Sequence, residues 1–173
     1  MKSVSVHMVL LAFIVSLLAV PVRAGDPNIG STTGLQLPRF ASLKSDRVNL
    51  REGPSKGHRT KWIYEKAGLP VEITAEFETW RRIRDSEGAE GWVLHNLLAG
   101  RRTAIVAPWG KDKPVPLHTK PEIASPLTAQ LMPNVVASIK FCDGKWCRLT
   151  GDGYDGFIQQ EQLWGVYPDE KVE

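Results

Sequence analysis

One unit of sequence occurs twice in this chain, and that constrains the fold more than any composition does. Val71, Ile73, Ala75 and Phe77 alternate with Glu72, Thr74, Glu76 and Glu78, and Val135, Ala137, Ile139 and Phe141 alternate in the same way further on. Such period-two patterning reads as half-buried strands. Each strand is followed by a Trp and an apolar residue three positions later (Trp80 with Ile83, Trp146 with Leu149), then by a Gly-rich acidic turn and a Gly-aromatic-β-branched triplet (Gly91-Trp92-Val93, Gly156-Phe157-Ile158). Paired positions lie 66 residues apart for Trp80 and Trp146, 65 for Gly91 and Gly156, 66 for Leu97 and Leu163, and 64 for Phe77 and Phe141. Each copy of roughly 60 residues must bury a core of its own from short strands and Gly/Pro turns, with no convincing amphipathic helix; a small β-barrel does this and hides its strand edges.

The N-terminus carries an export signal. A thirteen-residue apolar run, Met8 to Val20, follows Lys2 and ends in Pro21-Val22-Arg23-Ala24. It is shorter than the about 20 residues a membrane-spanning helix needs, and small residues stand where a signal peptidase reads. The expected organisation is a signal peptide over 1–24, a flexible leader over 25–37, barrel 1 over 38–101, barrel 2 over 102–168 and a frayed tail over 169–173. No Cys precedes Cys142, so a lipid anchor on a Cys after cleavage is excluded and a soluble exported protein is expected. Removing 1–24 takes away Lys2 and Arg23, leaving 20 basic residues against 19 acidic ones. Near-balanced charge, with Arg81, Arg82 and Arg84 interleaved by Asp85, Glu87 and Glu90, gives no footprint for nucleic acid.

Val48-Asn49-Leu50-Arg51-Glu52-Gly53-Pro54-Ser55, Gly68-Leu69-Pro70-Val71-Glu72-Ile73, Trp80 and Gly91-Trp92-Val93 with Leu97 together resemble the bacterial SH3-like (SH3b) family of exported domains. Cys142-Asp143-Gly144-Lys145-Trp146-Cys147-Arg148-Leu149 with Leu163-Trp164-Gly165-Val166 is similar to the second unit of a two-repeat subgroup common in Gram-negative bacteria. The resemblance covers about residues 38–167. It implies an all-β chain of two tandem SH3-like, five-stranded, partly open barrels, a periplasmic location and a non-catalytic binding or scaffolding role, sometimes toward cell wall. It carries no shared active site. The second unit departs from the first where Val115-Pro116-Leu117-His118-Thr119-Lys120-Pro121 stands for Val48 to Pro54 and loses the Gly, so its first long loop differs in shape.

Side chains three apart on a strand face opposite sides, so if Ile83 and Leu149 enter the cores, Trp80 and Trp146 leave them. Two functions fit an outward Trp: the floor of a groove that receives an extended peptide, or packing against a loop. Trp62 and Tyr64 could flank the groove of Trp80, with Trp92 beside it and Arg51, Glu52 and Glu90 offering polar registration. Trp92, Phe157 and Trp164, next to strand glycines, otherwise read as structural cover. Trp109 lies in a polar connector, either wedged between barrels or exposed. Cys142 and Cys147 bracket the turn signal Asp143-Gly144, which brings the thiols together across a hairpin in an oxidising compartment and predicts a disulfide; a redox switch is the alternative reading.

Enzyme chemistry finds little support. A Cys nucleophile with His95 or His118 would make an envelope peptidase, the weaker alternative reading, but it would need a helix for the Cys and a separate sheet for the His, and two barrels already use the chain. His58, His95 and His118 have no paired ligand at metal-binding spacing, and Asp152 with Asp155 sits in a turn that such residues commonly shape. Ser55 with His58 reads as solvated loop. No cofactor, metal or enzymatic role is expected. The expected partner is peptidoglycan or another envelope protein, held by barrel 1 through Trp80, Trp92, Trp62 and the Arg51 to Lys61 loop.

Overall fold

A computed structural model describes residues 28–173; the signal peptide expected over 1–24 lies outside the described residues. Among the described residues the chain is all-β, with two short 3-10 turns at His95–Leu97 and Gln160–Gln162. The first unit comprises β1 (Arg39–Leu43), β2 (Val48–Arg51), β3 (Thr60–Tyr64), β4 (Pro70–Phe77), β5 (Trp80–Arg84), β6 (Glu90–Leu94) and β7 (Leu98–Ala99). The second comprises β8 (Thr103–Val106), β9 (Val115–His118), β10 (Leu127–Leu131), β11 (Val136–Asp143), β12 (Trp146–Gly151), β13 (Tyr154–Gln159) and β14 (Leu163–Trp164), followed by β15 (Lys171–Val172). Strand order is β3-β2-β6-β5-β4-β1-β7 in one sheet and β10-β9-β13-β12-β11-β8-β14 in the other. The two orders are identical element for element, and the internal repeat is a repeat of topology. The five strands that the resemblance implies become more because the long first loop pairs with itself, as β2 with β3 and β9 with β10.

Val71, Ile73, Ala137 and Ile139 enter the cores as their period requires, but Phe77 and Phe141 at the ends of the same runs are exposed, because a register shift after Ile73 and after Ile139 reverses the alternation. Leu43, Val48, Leu50, Val71, Ile83 and Val93 close barrel 1, and Val106, Leu117, Cys147, Leu149 and Ile158 close barrel 2. Both long strands carry a register shift at the same place, between Ile73 and Ala75 and between Ile139 and Phe141, and a bulge there bends a strand around a small barrel. Gly91 and Gly156 answer a different need. A Cβ on Gly91 would lie 2.6 Å from the Arg51 carbonyl oxygen, and one on Gly156 would lie 2.7 Å from that of His118. At these points β6 crosses β2 and β13 crosses β9 too closely for any side chain.

The hairpin between β4 and β5 shows how the repeats diverge. Glu76 pairs with Arg81 in register, and Cys142 pairs with Cys147 at the equivalent place. An ion pair (Arg81 Nε to Glu76 Oε1, 3.4 Å) stands where barrel 2 has its disulfide, which is formed and buried as expected from its turn.

Two terminal expectations are corrected at this same edge. The part of the 25–37 leader that is described does not hang free. Ile29 bridges to Gln36, Leu37 is buried, and the Glu76 carboxylate accepts hydrogen bonds from the Thr32 amide (3.0 Å), the Thr33 amide (2.9 Å) and the Thr33 hydroxyl (2.7 Å). The tail 169–173 is not frayed either, because Val172 is buried and β15 pairs with β11 at Cys142. Leader and tail thus cover equivalent edges of the two barrels. The leader's polar composition hid this, because its docking rests on one carboxylate together with a single apolar residue, Leu37, in the barrel 1 core.

That carboxylate makes the leader acid-sensitive. Burial alone would raise the pKa of Glu76, but the Thr33 hydroxyl, Arg39 and the two amides outweigh it and bring the value down to about 2. A folded-state pKa below the unfolded one, about 4.3, stabilises the docked leader above that unfolded value, and the contribution is lost as pH falls toward 2. Hydrogen-exchange protection factors of the Thr32 and Thr33 amides are expected to be high at neutral pH and to fall between about pH 5 and pH 2. Glu76→Gln should lower them at neutral pH, flatten the profile and meet the parent protein's values near its acid end. Protection independent of pH in the parent protein would show that another contact holds the leader.

The barrels touch through a polar and aromatic seam. The Ser42 and Thr103 hydroxyls lie 2.6 Å apart, and the Thr103 hydroxyl donates to the Gly68 carbonyl at 2.7 Å. Phe40 packs edge-on to Trp164 (5.3 Å) and against Tyr167 (4.7 Å), with the Arg102 guanidinium above its ring. Tyr167 donates to the buried Glu72 carboxylate at 2.9 Å; its burial and that neighbouring charge push the phenol pKa up.

Candidate functional site

Trp80 lies off the core of barrel 1, as strand parity requires, yet only 6% of it is exposed. It forms the floor of a cleft of about 210 Å³ whose walls include Arg47, Asn49, Arg51, Lys56 and Leu94. Arg51 is held there by hydrogen bonds to the Lys56 and His58 carbonyls. The other barrel 1 candidates are not brought to this cleft. Trp62 and Tyr64 border a separate cleft at the barrel junction that also takes in Asp85 and Ile105, and the Tyr64 hydroxyl donates to Asp85 at 2.8 Å. Glu52 is engaged by Arg59, Glu90 by Arg82 at 2.6 Å, and half-buried Trp92, whose backbone pairs with Arg51, shares the sheet face of Trp80 and Leu94 without lining the cleft. Barrel 1 therefore presents a small polar cleft with little aromatic face.

Barrel 2 builds a larger version of the same feature. His118 stands at the position of Arg51, since each is paired with the second residue of the Gly-aromatic triplet, Phe157 or Trp92. The His118 ring packs edge-on to Trp146 at 5.5 Å, and its Nδ1 lies 3.2 Å from the Ser125 carbonyl oxygen. One cleft of about 490 Å³ runs past Pro114, Pro116, His118 and Gln159, a second of about 610 Å³ past Trp146, Lys145 and Gln160, and both share Trp109 and Gln159. Together they make one open groove with Trp109 at its middle.

Trp109 owes its place to an insertion. Ala41 and Ala104, equivalent by pairing, are 63 residues apart, whereas Val48 and Val115 are 67 apart. Four extra residues thus fall between β8 and β9, in the stretch 107–114 that answers to 44–47. The Ala107 carbonyl accepts from the Gly110 amide at 2.8 Å, closing a tight turn that holds Trp109 60% exposed above the groove. The connector is therefore an internal loop of barrel 2, and Trp109 is not a wedge between barrels. The link between barrels is the short stretch after β7. The spacing of 63 is fixed only by strand pairing, so the sequence by itself did not mark this loop.

A tandem pair of SH3-like barrels, each with a loop-walled cleft beside an off-core Trp, defines a class of small binding modules. The family model for the bacterial SH3 domain matches residues 44–100 and 111–165, and the chain belongs to that family. Domains of this family are generally binding modules for cell-wall peptidoglycan. No curated protein matches the sequence. Among solved structures, the chain is similar to NlpC2 from Trichomonas vaginalis at 17% identity and a TM-score of 0.33, covering 75% of this chain and 49% of that one. It is similar to NlpC1 from the same organism at 15% and 0.33, covering 78% and 48%. An NlpC/P60 family protein from Bacillus cereus matches at 10% and 0.32, covering 72% and 55%. The chain thus spans about half the length of these structures.

Proposed function

We propose that this protein is a non-catalytic, exported binding module of the periplasm, which captures an extended cell-wall peptide in the groove of barrel 2. The observation that carries this reading is the exposed Trp109 facing the same groove as Trp146 and His118. Exposed aromatic faces stack on an extended chain at low entropic cost, and the Gln159 and Gln162 amides supply hydrogen bonds to its backbone. Among the described residues no cluster of His, Cys, Asp or Glu could hold a metal ion, and both cysteines are in the disulfide.

Co-sedimentation with purified peptidoglycan sacculi tests the reading. The parent protein should be retained, and Trp109→Ala should weaken retention about tenfold while leaving the melting temperature nearly unchanged, because so exposed a side chain contributes little to the fold. Trp146→Ala should weaken it further with some loss of stability. A second reading, an adaptor that docks another envelope protein, draws on Trp62 and Ile63, both exposed on β3 at the free end of the barrel 1 sheet. Failure of sacculi to retain the parent protein would remove the cell-wall reading and leave the adaptor, and retention indifferent to Trp109 would remove the barrel 2 groove as the site.

A further inference from the structure

The chain has 22 basic and 19 acidic residues, so charges of both signs are available to every surface. The two equivalent clefts nevertheless hold cations only. Arg47, Arg51 and Lys56 line the one in barrel 1, and Lys111 and Lys113 line the Pro114 to His118 half of the groove in barrel 2, with no Asp or Glu in either wall. Arg47, Lys56, Lys111 and Lys113 are exposed and, like most lysines and arginines among the described residues, take part in no ion pair, so their charge is free to meet a ligand. The Lys113 amide donates to the Lys111 carbonyl at 2.5 Å, a three-residue turn with the exposed Asp112 at its apex and Lys111 and Lys113 on the groove wall, on the loop carrying Trp109. The adjoining half of the groove is mixed, with Lys145 beside Glu161 and Asp169. Charge therefore changes along the groove, with its cationic end at Lys111 and Lys113.

We propose that the barrel 2 groove selects peptides bearing free carboxylates, with a carboxylate of the bound cell-wall peptide seated between Lys111 and Lys113 while the chain lies against Trp109. This rests on the peptide-groove reading and adds the class of ligand. Exposed ion pairs are individually weak, so two lysines set a preference of about tenfold over a neutral ligand. Both lysines sit in a solvent-exposed loop, and replacing them leaves the cores intact.

The test is calorimetric titration of the purified, disulfide-bonded protein with stem peptides released from sacculi, and with the same peptides after conversion of their carboxyls to methylamides. The native peptides should bind about tenfold more tightly at low salt, and the advantage should shrink as salt rises. In Lys111→Gln with Lys113→Gln, native and amidated peptides should bind alike, at the parent protein's affinity for the amidated form. Equal binding of both peptides to the parent protein overturns carboxylate selection and leaves the groove reading standing if sacculus retention still depends on Trp109. Absence of binding by either peptide overturns the inference outright, and loss of sacculus retention with it removes the underlying reading too. Displacement of the native peptide by an oligonucleotide of equal charge would also overturn it, since an unselective positive surface would then suffice.

Discussion

Trp80→Ala is expected to destabilise barrel 1 by about 3 to 5 kcal/mol, the cost of emptying a buried Trp site. The equivalent change at Trp146 should cost distinctly less. Trp80 is nearly covered, with Leu94 and the Arg51 loop over it, whereas Trp146 is half-buried and open to the barrel 2 groove. A cavity left under Arg51 also frees that side chain from the carbonyls it bridges, so the loop above should loosen together with the barrel. Chemical denaturation of the two variants beside the parent protein reads the difference. Equal losses at both positions would mean that the barrel 1 cleft opens in solution and that Trp80 is as available to a ligand as Trp146.

That contrast marks where the sequence stopped being legible. Strand parity places both tryptophans off their cores, and both are there; parity says nothing of what covers them. Cover depends on the loops, and loop shape follows from insertions and from which side chains happen to reach across. The period-two strands, the Gly-aromatic triplets and the Cys142 to Cys147 hairpin could be read because each is enforced locally, by pleat geometry, by a close strand crossing or by a two-residue turn. The docking of residues 28–37 could not, because Glu76 reads as one more outward carboxylate on an alternating strand until Thr32, Thr33 and Arg39 are brought to it from elsewhere. Trp109 lay in a stretch that resembled a connector between units. The shift of repeat spacing from 63 to 67 across it, visible once strand pairing aligns Ala41 with Ala104, identifies the stretch as an inserted loop of barrel 2.

Gly156 offers a sharper test of the barrel itself, because two glycines of the same hairpin are needed for unrelated reasons. Gly153 has φ of +80° with open space around it, so Gly153→Ala meets only the backbone strain of the left-handed region, about 1 kcal/mol. Gly156 has no such φ and would tolerate a side chain as far as its own backbone is concerned. Its alanine Cβ would instead fall 2.5 Å from the Thr128 hydroxyl oxygen, 2.7 Å from the His118 carbonyl oxygen and 2.9 Å from Leu117 Cγ. The hydroxyl can rotate away. The carbonyl belongs to β9 and Leu117 is wholly buried, so relief requires β9 and β13 to separate at the point where the barrel closes. Overpacking of this kind costs about 3 kcal/mol, which for a chain of this size lowers the melting temperature by roughly 6 to 12 °C. The lining of the groove should suffer with it, since β9 ends at His118 and β13 at Gln159. Gly91→Ala should reproduce the loss in barrel 1, where the obstacles are the Arg51 carbonyl and Leu50. If Gly156→Ala were no worse than Gly153→Ala, the crossing would be looser than its distances require, and the groove beside it would be free to change shape on binding.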